Sequence, residues 1–153
     1  MSHATRLMIG ATLVTVPTIV FGGLAVLGIV TAGGAGVPGP ELTPLQLTLY
    51  RAGHAHAGVL VLLSLVLQHL LDAVRLSPGV AWSARVAAPL AAILVSAGFF
   101  GLAHAPPLRA LLYAGAALVV YATLTVGIGL LRSLRPPPVT AASRSSSAGR
   151  PRP

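Results

Sequence analysis

The amino-acid sequence predicts an all-α fold, a polytopic membrane four-helix bundle. Three observations lead there. Of 153 residues, 55% are hydrophobic and only 8% charged, too little polar surface to coat a water-soluble globule of this size. Four apolar stretches, Leu7 to Thr31, Thr48 to Leu71, Arg85 to Ala103 and Leu108 to Leu131, can each cross a hydrocarbon core, which takes about 20 helical residues. In lipid each must be a helix, because an open strand leaves backbone groups unpaired.

The first stretch follows Arg6 and starts like a signal peptide, but it is too long for a signal h-region and lacks a small-x-small cleavage site. It is therefore expected to stay as a helix. Gly33-Gly-Ala-Gly-Val-Pro-Gly-Pro40 reads as a flexible connection to the second span. Ser77-Pro-Gly79 separates the second from the third, and Ala105-Pro-Pro107 makes a tight hairpin into the fourth. Pro17 and Pro89 fall inside spans one and three and are candidate kinks. Gly22, Gly23, Ala97, Gly101, Gly115 and Gly127 are small enough to let helix backbones approach. The membrane domain thus covers 1–134. Residues 135–153, rich in Arg, Pro and Ser and without apolar periodicity, form an expected disordered tail.

Ten basic residues oppose two acidic ones, and every basic residue is arginine. Eight of them (Arg6, Arg75, Arg85, Arg132, Arg135, Arg144, Arg150 and Arg152) fall at the N-terminus, the second connection and the tail, leaving Arg51 and Arg109 for the other side. By the positive-inside rule both termini are cytoplasmic and the chain is a multi-pass protein of the inner (plasma) membrane. No aromatic-interleaved basic groove is present, so the bilayer and not nucleic acid is the expected partner. With no cysteine, disulfides, thiolate ligands and a Cys nucleophile are excluded.

This topology places Arg51, His54, His56, His104 and Arg109 at similar depth near the outer face. His54, His56 and His104 are three imidazoles, the ligand type that suits haem iron, copper or zinc, and Arg51 and Arg109 are candidate partners for a haem propionate or another anion. Interfacial hydrogen bonding without any ligand is the competing reading. At about 100° per residue, Arg51, His54, Gly58, Leu65, His69 and Asp72 share one stripe, whereas His56 points almost oppositely. Either the helix starts near Gly53, leaving both rings free to turn inward, or each imidazole meets a different neighbour. Gly58 suits close packing or open space beside His54. His69 stands more than about 20 Å from His54 along the helix and cannot share a metal with it. An interfacial Asp72–Arg75 pair with His69 hydrogen-bonded nearby is the expected arrangement there. Tyr121 lies deep enough to require a hydroxyl partner, while Tyr50 and Trp82 suit interfacial belts.

Gly53-His-Ala-His-Ala-Gly58, opening an apolar helix, resembles the His-Ala-His motifs of small four-helix membrane proteins related to haem-copper oxidase subunit I, and the whole layout resembles actinobacterial four-helix proteins with an Arg-Ala-Gly-His-Ala-His-Ala-Gly stretch. The resemblance implies that His54 or His56 is an axial ligand of haem b or a transition metal, in electron transfer or as an accessory to a respiratory complex. The chain has no His-His pair for a copper centre and lacks the other ligand helices, so it is not expected to reduce oxygen alone. The layout is also similar to hydroxylaminobenzene mutases, through His56 and Gly58 after an Arg-bearing loop. That likeness implies an isomerase whose imidazole moves protons. A structural or assembly subunit, in a homo-oligomer or a larger complex, is the third expectation.

Overall fold

A computed structural model describes residues 1–32 and 41–134. The expectations for the Gly33–Pro40 connection and for the tail fall outside the described residues. The described chain forms α1 (His3–Ala32), α2 (Pro44–Leu70), α3 (Pro78–Leu102) and α4 (Arg109–Ser133), with a 3-10 turn, Pro106–Leu108, leading into the last. All four helices are long and apolar enough to cross a membrane, and no strand occurs among the described residues.

The first three helices begin before their apolar runs do, and for two of them the start is marked by a cap or a first-turn proline. Thr43 caps α2: its Oγ1 accepts from the Gln46 N–H (3.2 Å), and Gln46 Oε1 accepts from the Thr43 N–H (2.9 Å). Pro44 fills the first position, where a missing N–H costs nothing. The start at Pro44 puts a regular helix through His54 and His56, so the alternative of a start near Gly53 does not hold. Pro78 does the same for α3, so Arg85 lies two turns inside that helix instead of opening it. α1 and α3 both continue through their internal prolines, Pro17 and Pro89.

The helices run up and down. Ser2, Asp72, Arg85 and Ser133 lie at one end, here the terminal end, and Gln46, Tyr50, Ala103 and His104 lie at the far end. α3 is the central element, packed on both α2 and α4, and α1 rests mainly on α2. Alanines make the close approach possible: Ala84, Ala87, Ala88, Ala91 and Ala92 are all buried on α3, with Leu67 and Leu71 of α2 and Ala122 and Val126 of α4 completing the core. Glycine decides the α3–α4 contact. A Cβ on Gly115 would lie 2.8 Å from the Val95 backbone nitrogen, and one on Gly98 would lie 2.7 Å from that of Leu112. Gly22 and Gly127, by contrast, have no neighbour within 4 Å.

Outside this thin core the surface is apolar. Val14, Phe21, Leu62 and Leu131 are 65–78% exposed, and an exterior of that kind is stable only against lipid. The chain is a multi-pass membrane protein. Thr123 bonds back to the Val119 carbonyl (2.8 Å), and the Tyr121 hydroxyl finds its partner in Ser83 Oγ on α3 (2.5 Å).

Replacing Gly115 by valine forces α3 and α4 apart, because the nearest obstacle includes backbone. The substitution is expected to lower stability in detergent by about 1–3 kcal/mol, read as a drop in thermal midpoint. Gly127→Val is the matched control and, with open space beside it, is expected not to lower the midpoint.

Candidate functional site

At the far end the three histidines do not share a site: His104 meets Tyr50, whereas His54 and His56 lie four and six residues further along α2. Because α2 is already regular at residue 54, His54 and His56 leave it on nearly opposite sides. His54 turns toward α1 and is half-buried. Its ring lies so close to Gly23 that a Cβ there would be 2.7 Å from both Cε1 and Nε2, so any larger residue at that position makes the imidazole shift. Gly58, one turn along, has open space beside it.

His56 turns toward α3. Its ring packs on Phe99 with centroids 4.7 Å apart, and Nδ1 donates to the Ala52 carbonyl at 2.8 Å. A carbonyl can only accept, so a proton sits on Nδ1, and it is the tautomer with its lone pair on Nε2 that this contact favours. The residue is exposed. His104, also exposed, is hydrogen-bonded through Nε2 to the Tyr50 hydroxyl at 2.6 Å, and Tyr50 in turn packs against Phe100. Gln46 Nε2 donates to the Ala103 carbonyl (3.0 Å), which fastens the start of α2 to the end of α3 beside that pair. Arg51 and Arg109 are exposed. Among the described residues no three His, Cys, Asp or Glu side chains are grouped to hold one metal ion. Tyr50, read from sequence as a belt residue, is the member of this end that sequence reasoning missed.

The terminal end holds a denser polar cluster. Arg85 is 6% exposed and is enclosed by α1 and α2. Its Nη2 meets Asp72 Oδ1 at 2.8 Å, and its Nη1 donates to Thr5 Oγ1 (2.7 Å) and Gln68 Oε1 (3.2 Å). Gln68 is fully buried and its Nε2 returns a bond to the Arg85 carbonyl (2.7 Å). Thr5 donates to Asp72 Oδ1 (2.6 Å), and the Ser2 N–H donates to Oδ2 (2.8 Å). The carboxylate thus pairs with Arg85 across the bundle and not with Arg75 three residues along. The Asp72–Arg75 expectation is corrected: Arg75 and the His69 ring are exposed, whereas Arg85 is desolvated and must have a counter-charge.

Between these ends, α1 and α3 stand apart over α2 and leave a groove of about 460 Å³, lined by residues that include Thr12, Thr15, Val61, Ala92, Ser96 and Phe100.

The class these features define is a multi-pass, all-α membrane protein with a polar lock at one end and divergent imidazoles at the other. No family model, curated protein or solved structure matches the chain.

Asp72 is held well below the usual carboxylate range, first by the Thr5 hydroxyl and next by the Ser2 N–H, which together outweigh the opposing effect of burial; the Ser2 side chain and then Arg85 lower it further. A depressed folded-state pKa contributes stability that is complete above the unfolded value of about 3.9 and is lost as pH falls through the lower folded value. Asp72→Asn is therefore expected to lower the thermal midpoint at pH 7, and the gap from the parent protein is expected to narrow as pH falls below about 4. A gap that stays constant over that range would show that Asp72 is not the titrating group.

Proposed function

We propose that this chain is a multi-pass protein of the plasma membrane in which His56 supplies one ligand to haem b or a transition metal, in electron transfer or as an accessory subunit of a respiratory complex. The observation that carries this reading is the free Nε2 of an imidazole whose Nδ1–H is anchored on a backbone carbonyl and whose ring is braced by Phe99. Outer-shell anchoring of this kind fixes the tautomer and direction of a metal-ligating histidine. His54 is confined by Gly23, and His104 is engaged by Tyr50. The residues present therefore fit a centre to which this chain gives one imidazole and a partner subunit or second copy gives the rest; they do not fit a centre built from all three histidines. Such a group, when bound, supplies one-electron chemistry or Lewis acidity.

The proposed orientation places the terminal end in the cytoplasm. Arg6, Arg75, Arg85 and Arg132 lie at that end, and four more arginines follow in the sequence after residue 134, against Arg51 and Arg109 at the other.

Protein purified from its native membranes in mild detergent is expected to show a Soret band or stoichiometric metal that His56→Ala removes and His54→Ala or His104→Ala leaves in place. A colourless, metal-free preparation overturns this reading.

The Tyr50–His104 pair favours a second reading, a mutase-like isomerase, because a phenol and an imidazole 2.6 Å apart can pass a proton. That reading expects cofactor-free conversion of an aryl hydroxylamine to an aminophenol, abolished by His104→Ala and by Tyr50→Phe. A structural or assembly subunit would show neither activity and would co-purify with a larger complex.

A further inference from the structure

We propose that the groove between α1 and α3 is a binding site for a neutral, lipid-soluble alcohol or phenol that enters sideways from the bilayer. The site is independent of the His56 reading and rests on different residues. Its volume, about 460 Å³, falls in the range of small-molecule pockets. Thr15, Thr18, Ile93 and Ala97 line it and are exposed, so it is open on its lipid side. No charged side chain lines it, which disfavours an ionic guest in a low-dielectric slot.

The polar groups in the groove define the guest more closely. Thr12, Thr15 and Thr18 each donate their hydroxyl proton to their own helix, to the carbonyls of Met8 (2.8 Å), Thr12 (2.7 Å) and Thr15 (2.6 Å). Their oxygens are left with lone pairs and no proton to offer. Ser96 on the opposite wall behaves differently. It is 8% exposed, and its hydroxyl has no hydrogen-bond partner, although a serine in a helix can ordinarily bond back to the preceding turn.

Depth separates the candidate guests. Along α2, Asp72 and Tyr50 mark two polar layers about 33 Å apart. Ser96 lies eleven residues past Arg85 in sequence, and Thr15 ten past Thr5, which puts both about 15 Å in from the terminal-end layer, at mid-membrane. Water does not reach that depth to satisfy a hydroxyl, and the acyl chain of a phospholipid carries no hydrogen-bonding group there. A neutral molecule with a hydroxyl does: it donates to a threonine oxygen and accepts from Ser96 after rotation about a single χ1 bond.

The test uses the full chain in nanodiscs of phosphatidylcholine and phosphatidylglycerol, with a photoreactive alkylphenol and its deoxy analogue. Saturable labelling of the Met8–Ile19 and Pro89–Phe100 segments is expected. Competition by the unlabelled phenol should exceed that by the deoxy compound roughly threefold to tenfold, the value of one net hydrogen bond. Ser96→Ala is expected to erase that preference and Ser96→Thr to keep it, with a monodisperse gel-filtration profile confirming that both variants fold. Equal competition by the two compounds, or a preference that survives Ser96→Ala, overturns the proposal and leaves a lipid-filled crevice. Cross-linking of two copies through these same segments, with labelling absent, overturns it in favour of a dimer contact.

Discussion

One buried cation organises the membrane domain. Arg85 sits two turns inside α3 with 6% of its surface exposed, and an unpaired guanidinium in that place would destabilise the fold by several kcal/mol. Its partners come from two other helices: Asp72, just past the end of α2, and Gln68 within α2, and Thr5 on α1. α1 has extensive backbone contact with α2 only, so the Thr5–Arg85 bond is its polar tie to the centre of the bundle. A second contact lies about 27 Å further along α1, where Gly23 meets the Cε1 and Nε2 atoms of His54. α1 is held at these two points and stands off from α3 between them. The groove lined by Thr12, Thr15 and Ser96 is the geometric result.

The four spans and the all-α class were legible because hydropathy reports the solvent a helix needs, and lipid leaves the backbone no alternative. Helix starts were less legible for a reason that is equally physical. Apolar runs mark where a helix becomes lipid-soluble, whereas caps and first-turn prolines mark where it begins, and α2 and α3 start at Pro44 and Pro78. The Thr43-x-x-Gln46 signature of a capping box was available in the sequence and would have moved the start of α2. Misplacing the start of α3 had a larger effect. With α3 opening at Arg85, the arginine reads as a boundary charge; with α3 opening at Pro78, it becomes an interior cation in need of a carboxylate, and Asp72 is the nearest in sequence of the chain's two acids.

The far end shows the same division between depth and direction. Topology placed His54, His56 and His104 at one level, and the Tyr50–His104 and His54–Gly23 contacts lie at the same end. Direction followed from the helix: 200° of rotation between residues 54 and 56 separates their rings once α2 is regular there. The side-chain partners were not legible. Tyr50 reaches His104 through the packing of the start of α2 on the end of α3, a tertiary fact with no local signal. Ser96 was equally silent, because a serine in an apolar helix ordinarily bonds to its own backbone.

Polar groups that a membrane protein leaves unsatisfied are informative in proportion to their access. Ser64 and Ser96 both have hydroxyls without partners, and each costs about 1–3 kcal/mol relative to a satisfied group. Ser64 is completely enclosed, and its small volume suits a close helix contact. Ser96 lines the groove at mid-membrane, where a guest can complete its hydrogen bonding once the hydroxyl turns outward. His56 Nε2 is the corresponding group near the far surface, free on an exposed ring. The terminal end offers no comparable opening, because both Asp72 oxygens and the Arg85 guanidinium are bonded within the chain. Polarity closes on itself in the Asp72–Arg85 cluster, whereas the groove and the far end carry buried or braced polar groups that the chain leaves unbonded.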